Sequence, residues 1–128
     1  MNTSGFFARM LAVLSVCAPA LLWGGNLFAA ELLMFERSGC PYCVRWDAEV
    51  APGYRASAEA KIAPLRRVDI TRGQPKDVAL SAPVRFTPTF VLVDNGKELG
   101  RITGYFDNAT FWGVLGKLMA ELPGKGTN

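Results

Sequence analysis

The chain is 128 residues long and 50% hydrophobic, enough to build one domain around a core. Its 14 basic and 11 acidic residues leave a formal charge of +3, too small and too dispersed for a nucleic-acid surface, so nucleic acid is not an expected partner. With no histidine in the sequence, Cys–His nucleophile pairs, Ser–His–Asp triads and the usual His-containing zinc sites are excluded.

Residues 1–30 read as an export signal: a weakly basic start to Arg9, an apolar run from Met10 to Trp23 interrupted by Pro19, and small residues at Ala29-Ala30. The run is short for a membrane span, which needs about 20 residues. Cleavage is therefore placed before Glu31, leaving 31–128 as the mature domain, although Phe28 is bulkier than the small residue usual at its position. An uncleaved N-terminal anchor is the alternative. Cys17 falls inside the apolar run and reads as a small hydrophobe of the signal, since a lipoprotein would want a small residue where Val16 stands. The mature chain then keeps only Cys40 and Cys43, with no third thiol to scramble the pair.

Leu32-Leu33-Met34-Phe35 is a continuous apolar run, which predicts a central, doubly buried strand over residues 31–36. Its end delivers Arg37-Ser38-Gly39-Cys40-Pro41-Tyr42-Cys43-Val44-Arg45-Trp46, with a helix starting near Tyr42. A sulfur at a helix start faces unpaired backbone N–H groups and the positive end of the helix dipole, and both favour thiolate over thiol. Two intervening residues let the second sulfur reach the first, so Cys40 and Cys43 form a candidate redox pair. Cys40 is the expected attacking thiol, as the N-terminal and more exposed member, and Cys43 the resolving one. Pro41 fixes the loop backbone and Tyr42 offers an apolar face to a partner. Arg37 and Arg45 are near enough in sequence to add positive potential, and equally read as solvated side chains. The competing readings of the pair are a structural disulfide or half of a zinc site, the latter needing ligands that the rest of the mature chain does not supply as Cys or His.

Pro52-Gly53 should break or kink this helix, and residues 54–63 form a second helical piece or a loop excursion. Residues 65–70 follow as a strand parallel to the first. Thr71 to Gln74 is a turn, and Pro75 suits the first position of a helix over 76–81. Pro88 heads the apolar strand Thr89-Phe90-Val91-Leu92-Val93, where a residue that cannot donate a ladder hydrogen bond belongs. Asn95-Gly96 is the signature of a two-residue type I′ hairpin into a strand over 98–103. Asp107 or Asn108 can cap a last helix, on which Phe111, Trp112, Leu115, Leu118, Met119 and Leu122 recur at helical spacing as core. Pro123-Gly124 ends the fold, and residues 125–128 read as a loose tail.

Cys40-Pro41-Tyr42-Cys43, with Arg37-Ser38-Gly39 before it and Val44-Arg45 after it, resembles the glutaredoxin active site, and the remainder resembles the wider thioredoxin superfamily. More closely, residues 31–122 resemble the small SoxS-type thioredoxin-like proteins of the bacterial periplasm that accompany sulfur-oxidation systems. The resemblance implies an α/β thioredoxin-like fold, a four-stranded mixed sheet with helices on both faces. It implies that Pro88 is a cis-proline beside the Cys-x-x-Cys sulfurs, and that the backbone of Thr87 can pair with an extended substrate segment.

Two departures from the family pattern stand out. The buried acid that thioredoxins place six residues before the first cysteine is here Met34, and the paired glycines that help glutaredoxins hold glutathione are replaced by Gly104-Tyr105-Phe106-Asp107. A protein thiol or disulfide is thus the expected substrate rather than glutathione, and no cofactor is expected. The expected protein is a monomeric periplasmic reductase acting on a disulfide or persulfide, and the sulfur-oxidation resemblance implies the pathway's sulfur carrier as its partner and a membrane thiol electron transporter as its reductant. A disulfide-forming oxidase is the competing enzyme, and a Cu(I) chaperone using the two cysteines is the reading from another class.

Overall fold

The computed structural model describes residues 29–124, so the expected export signal and the tail 125–128 lie outside the described residues. The elements are β1 (Ala30–Glu36), α1 (Pro41–Glu49), α2 (Ala51–Arg55), α3 (Ala58–Ile62), β2 (Leu65–Asp69), β3 (Thr89–Asp94), β4 (Lys97–Thr103) and α4 (Asn108–Ala120), with one 3-10 turn at Ile70–Arg72. The sheet order is β2-β1-β3-β4. β1 runs parallel to β2 and antiparallel to β3, and β4 returns antiparallel to β3, which is the expected mixed four-stranded sheet.

Alternation along the two central strands divides the core into two layers. Leu32 and Met34 of β1, with Phe90 and Leu92 of β3, face the layer built from Trp46, Tyr54, Phe111 and Leu115. Leu33, Phe35, Val91 and Val93 point the other way, onto Val78 and Val84. A strand buried on both sides has no polar face to alternate with, which is why these runs are continuously apolar. Trp46 anchors the first layer, its ring 5.0 Å from Phe90 and 5.5 Å from Phe111.

All four α-helices contribute side chains to or pack against the Trp46 layer. The helix expected over 76–81 does not form, so the second layer is covered by the 3-10 turn and an irregular segment. The reason is tertiary. The Ala79 N–H donates to Gly96 O at 2.7 Å, and its carbonyl accepts from the Glu98 N–H at 3.1 Å, so the backbone is satisfied by the start of β4. Asp77 is held by Arg66 at 2.7 Å, and Val78 turns into the core. Sequence propensity is overridden by these pairings.

The expected break in the first helix also falls elsewhere. Val50 caps both α1 and α2, and Pro52 lies in the first turn of α2, where a missing N–H costs no helical bond. The excursion resolves into α2 and α3, the latter capped by Ser57, whose hydroxyl accepts from the Ala60 N–H at 3.1 Å. The hairpin is as expected: Asn95 and Gly96 sit at φ 48° and 76°, the positive pair that a type I′ turn demands. Asp107 caps α4 by accepting from the Thr110 N–H at 2.7 Å, and Phe111, Leu115 and Met119 form its buried stripe.

Candidate active site

Gly39 at φ 75° turns the chain out of β1, and Cys40 becomes the residue that caps α1. Its sulfur accepts from the Cys43 N–H at 3.2 Å. Pro41 occupies the first turn, where its missing N–H is no loss. Cys40 and Cys43 are joined as a disulfide, their Cα atoms 5.3 Å apart. Each cysteine is 4% exposed, so Cys40 is not the more accessible of the two as whole residues. Its distinction is the capping position, which points its sulfur at a backbone donor.

The β1–β3 register puts Phe35 opposite Thr89, so residues 37–40 and 85–88 leave the same end of the sheet side by side. Thr87-Pro88 is a cis peptide and Pro88 is buried. The Pro88 carbonyl accepts from the Gly104 N–H at 2.7 Å, drawing the loop after β4 to the same place. Between the two loops lies a groove of about 530 Å³, lined among others by Tyr42, Phe86, Thr87, Pro88, Tyr105 and Phe106. Tyr42, Phe86 and Phe106 are 54%, 68% and 77% exposed, an apolar rim on the side of the disulfide where Tyr42 stands. Isolated exposed hydrophobes are ordinary, but three aromatics around one groove mark an interaction surface.

Of the residues singled out in the sequence, Tyr42, Thr87 and Pro88 meet at this groove, while Cys40, Pro41 and Cys43 do not line it and are joined to it through Tyr42, their neighbour in the chain. Phe86 and Phe106 were not anticipated, and their only signal is a large aromatic in a loop without the spacing that would bury it. Thr89 fixes the first of them, its hydroxyl donating to Phe86 O at 2.7 Å. Arg45 is turned away from the sulfurs: it pairs with Glu49 at 3.2 Å, reaches Phe106 O at 3.3 Å and lies over the Tyr105 ring. Arg37 is exposed and makes no ion pair among the described residues. Among the described residues, no group of three or more His, Cys, Asp or Glu side chains could hold a metal ion.

A disulfide seated at a helix start, with the tyrosine between its two cysteines lining an apolar groove, suits exchange with sulfur on another protein, which is the chemistry of the thiol–disulfide oxidoreductases. A family model described as a thioredoxin-like domain matches residues 30–119, and the chain belongs to that family. Within it, the chain is similar to the periplasmic thioredoxin SoxS from Paracoccus pantotrophus in its reduced form, with 45% identity, a TM-score of 0.68, and coverage of 71% of this chain and 96% of that one. A thioredoxin-fold protein from Helicobacter pylori matches at 26% identity and TM-score 0.51, covering 70% of this chain and 71% of its own. Mitochondrial thioredoxin 3 from Saccharomyces cerevisiae, at 21% identity and TM-score 0.52, covers 70% of this chain and 80% of its own and shares the fold. A comparison with curated proteins found no match.

Proposed function

We propose that the chain is exported to the periplasm with loss of residues 1–30, and that the remaining domain works there as a monomeric reductase of a disulfide or persulfide on a partner protein. The export reading of the N-terminus and the likeness to a periplasmic thioredoxin support the location. The observation that carries the reaction is the Cys40 sulfur on the Cys43 N–H, beside an open apolar groove. In the dithiol form that N–H and the dipole of α1 favour a Cys40 thiolate.

Cys40 attacks one sulfur of the partner's disulfide, forming a mixed disulfide and expelling the other sulfur as thiolate. Cys43 then attacks Cys40, releasing the partner as a dithiol and restoring the Cys40–Cys43 disulfide; the two electrons come from the cysteine pair. With a persulfide, Cys40 attacks the inner sulfur, forming the same mixed disulfide and expelling hydrosulfide, and Cys43 then releases the partner as a thiol. A membrane thiol transporter resets the pair. Tyr42, Phe86 and Phe106 seat an apolar residue beside the partner's cysteine, while Thr87 offers backbone groups to its chain. The sulfur carrier of a sulfur-oxidation system is the partner proposed.

Trapping the intermediate tests these roles. Cys43→Ser removes the resolving nucleophile, so a reductant-sensitive adduct should accumulate on non-reducing gels of periplasmic extracts, whereas Cys40→Ser should form none. Equal adducts in the two variants, or none in Cys43→Ser, would overturn the assignment.

A further inference from the structure

The groove's outer wall, Phe106, is itself exposed, and the loop that carries it is tied to the far end of the redox helix. The Tyr105 hydroxyl donates to Glu49 Oε2 at 2.5 Å, and the Asn108 side-chain amide donates to the Glu49 carbonyl at 2.8 Å. Arg45 donates to the other Glu49 oxygen at 3.2 Å and to the Phe106 carbonyl at 3.3 Å, with its guanidinium 5.3 Å above the Tyr105 ring. One turn of α1 thus grips residues 105, 106 and 108 together. Burial and the Glu49 carboxylate push the Tyr105 hydroxyl up to about 12, so it remains a donor at neutral pH.

We propose that Glu49 is a positioning residue for substrate: through Tyr105 and Arg45 it holds Phe106 upright as a specificity wall for the apolar residue flanking a partner's cysteine. The inference rests on the reductase reading above. Glu49 lies nine positions after Cys40, about 14 Å along a helix, so it does not touch the reacting sulfurs. Its effect belongs on docking and not on the exchange step. A surface ion pair alone is worth little, but here the Glu49 carboxylate is shared by Arg45 and a mostly buried tyrosine, and both partners belong to the loop contact.

The test uses the full chain, recycled by dithiothreitol with insulin as the protein disulfide, and pre-reduced, freed of dithiothreitol and followed in single turnover with dithionitrobenzoate as a small disulfide that does not need the wall. Glu49→Ala should raise KM for insulin about five- to tenfold with kcat unchanged, and leave the dithionitrobenzoate rate as in the parent. Glu49→Gln, which keeps an acceptor for Tyr105, should restore most of the loss. Tyr105→Phe should move KM in the same direction and serves if Glu49→Ala folds poorly. In a Phe106→Ala background, Glu49→Ala should add nothing further to KM. Unchanged KM in both Glu49→Ala and Tyr105→Phe, an equal fall in kcat on insulin and in the dithionitrobenzoate rate, or full additivity with Phe106→Ala overturns the inference while leaving the reductase reading intact. Failure of the parent chain to reduce insulin overturns that reading and this inference with it.

Discussion

Cys40 differs from Cys43 less by accessibility than by what its sulfur faces. Both residues are 4% exposed, but only Cys40 caps a helix and takes a backbone N–H. That donor favours the anion, so in the reduced protein the Cys40 thiolate should form with a midpoint below the free-thiol value of about 8.5, read by thiolate absorbance against pH in a Cys43→Ser variant. A midpoint at the free-thiol value would leave Cys40 without helix-start activation. The site's chemistry was legible here because two cysteines at that spacing, after an apolar strand and before a helix, fix their own geometry. The aromatic rim was not legible. Phe86 and Phe106 are 20 positions apart in the sequence and face one groove because the pairing of β3 with β4 and the Pro88–Gly104 hydrogen bond bring their loops together.

Among the elements, the covering of the second core layer shows where sequence reading stops. Residues 76–81 have a helix-start proline and helix-compatible side chains, yet the edge of β4 takes their backbone groups, and no local pattern announces a pairing with residues 96–98. The irregular segment is pinned once more by Glu98, whose side chain is 4% exposed and is gripped by Arg101 through contacts of 2.6 and 2.7 Å. Glu98 also accepts from the Ser81 N–H at 2.7 Å, and Arg101 donates to Ala82 O at 2.8 Å. The Arg101 hydrogen bond, then the Ser81 N–H, hold the Glu98 carboxyl below its usual 4.5, against the opposing cost of burial. A depressed folded-state pKa stabilises the fold above the unfolded value and ceases to do so as pH falls through the folded value. Glu98→Gln should therefore cost about 1–3 kcal/mol at neutral pH. The gap to the parent should narrow below about pH 4.5 in urea titrations run at several pH values. A gap that stayed constant to pH 2 would show that charge on Glu98 is not what secures the segment.

At the scale of the whole molecule, the sheet separates two layers that were built differently. Continuous apolar runs, the Asn-Gly turn and the spacing on α4 made the mixed sheet and its helical layer legible from residues 31–122, because period and turn chemistry act locally there. That layer holds Trp46, Phe90, Phe111 and Leu115 under four helices, whereas the other holds Val78 and Val84 under irregular chain. Regions with fewer apolar contacts and less regular hydrogen bonding open first. Deleting side-chain volume should then have different reach on the two sides. Leu115→Ala, at a fully buried position, should lower global stability by about 2–5 kcal/mol and speed amide exchange throughout β1 and β3. Val84→Ala removes less volume from the thinner layer, so it should speed exchange chiefly at 76–86 while the α1 and α4 amides stay protected. Because that segment leads into Phe86 and Pro88, the second variant should also weaken protein-disulfide reduction before it unfolds the chain. Uniformly faster exchange in both variants would mean that the two layers open as one cooperative unit, and that the loop carrying Phe86 moves only with global unfolding.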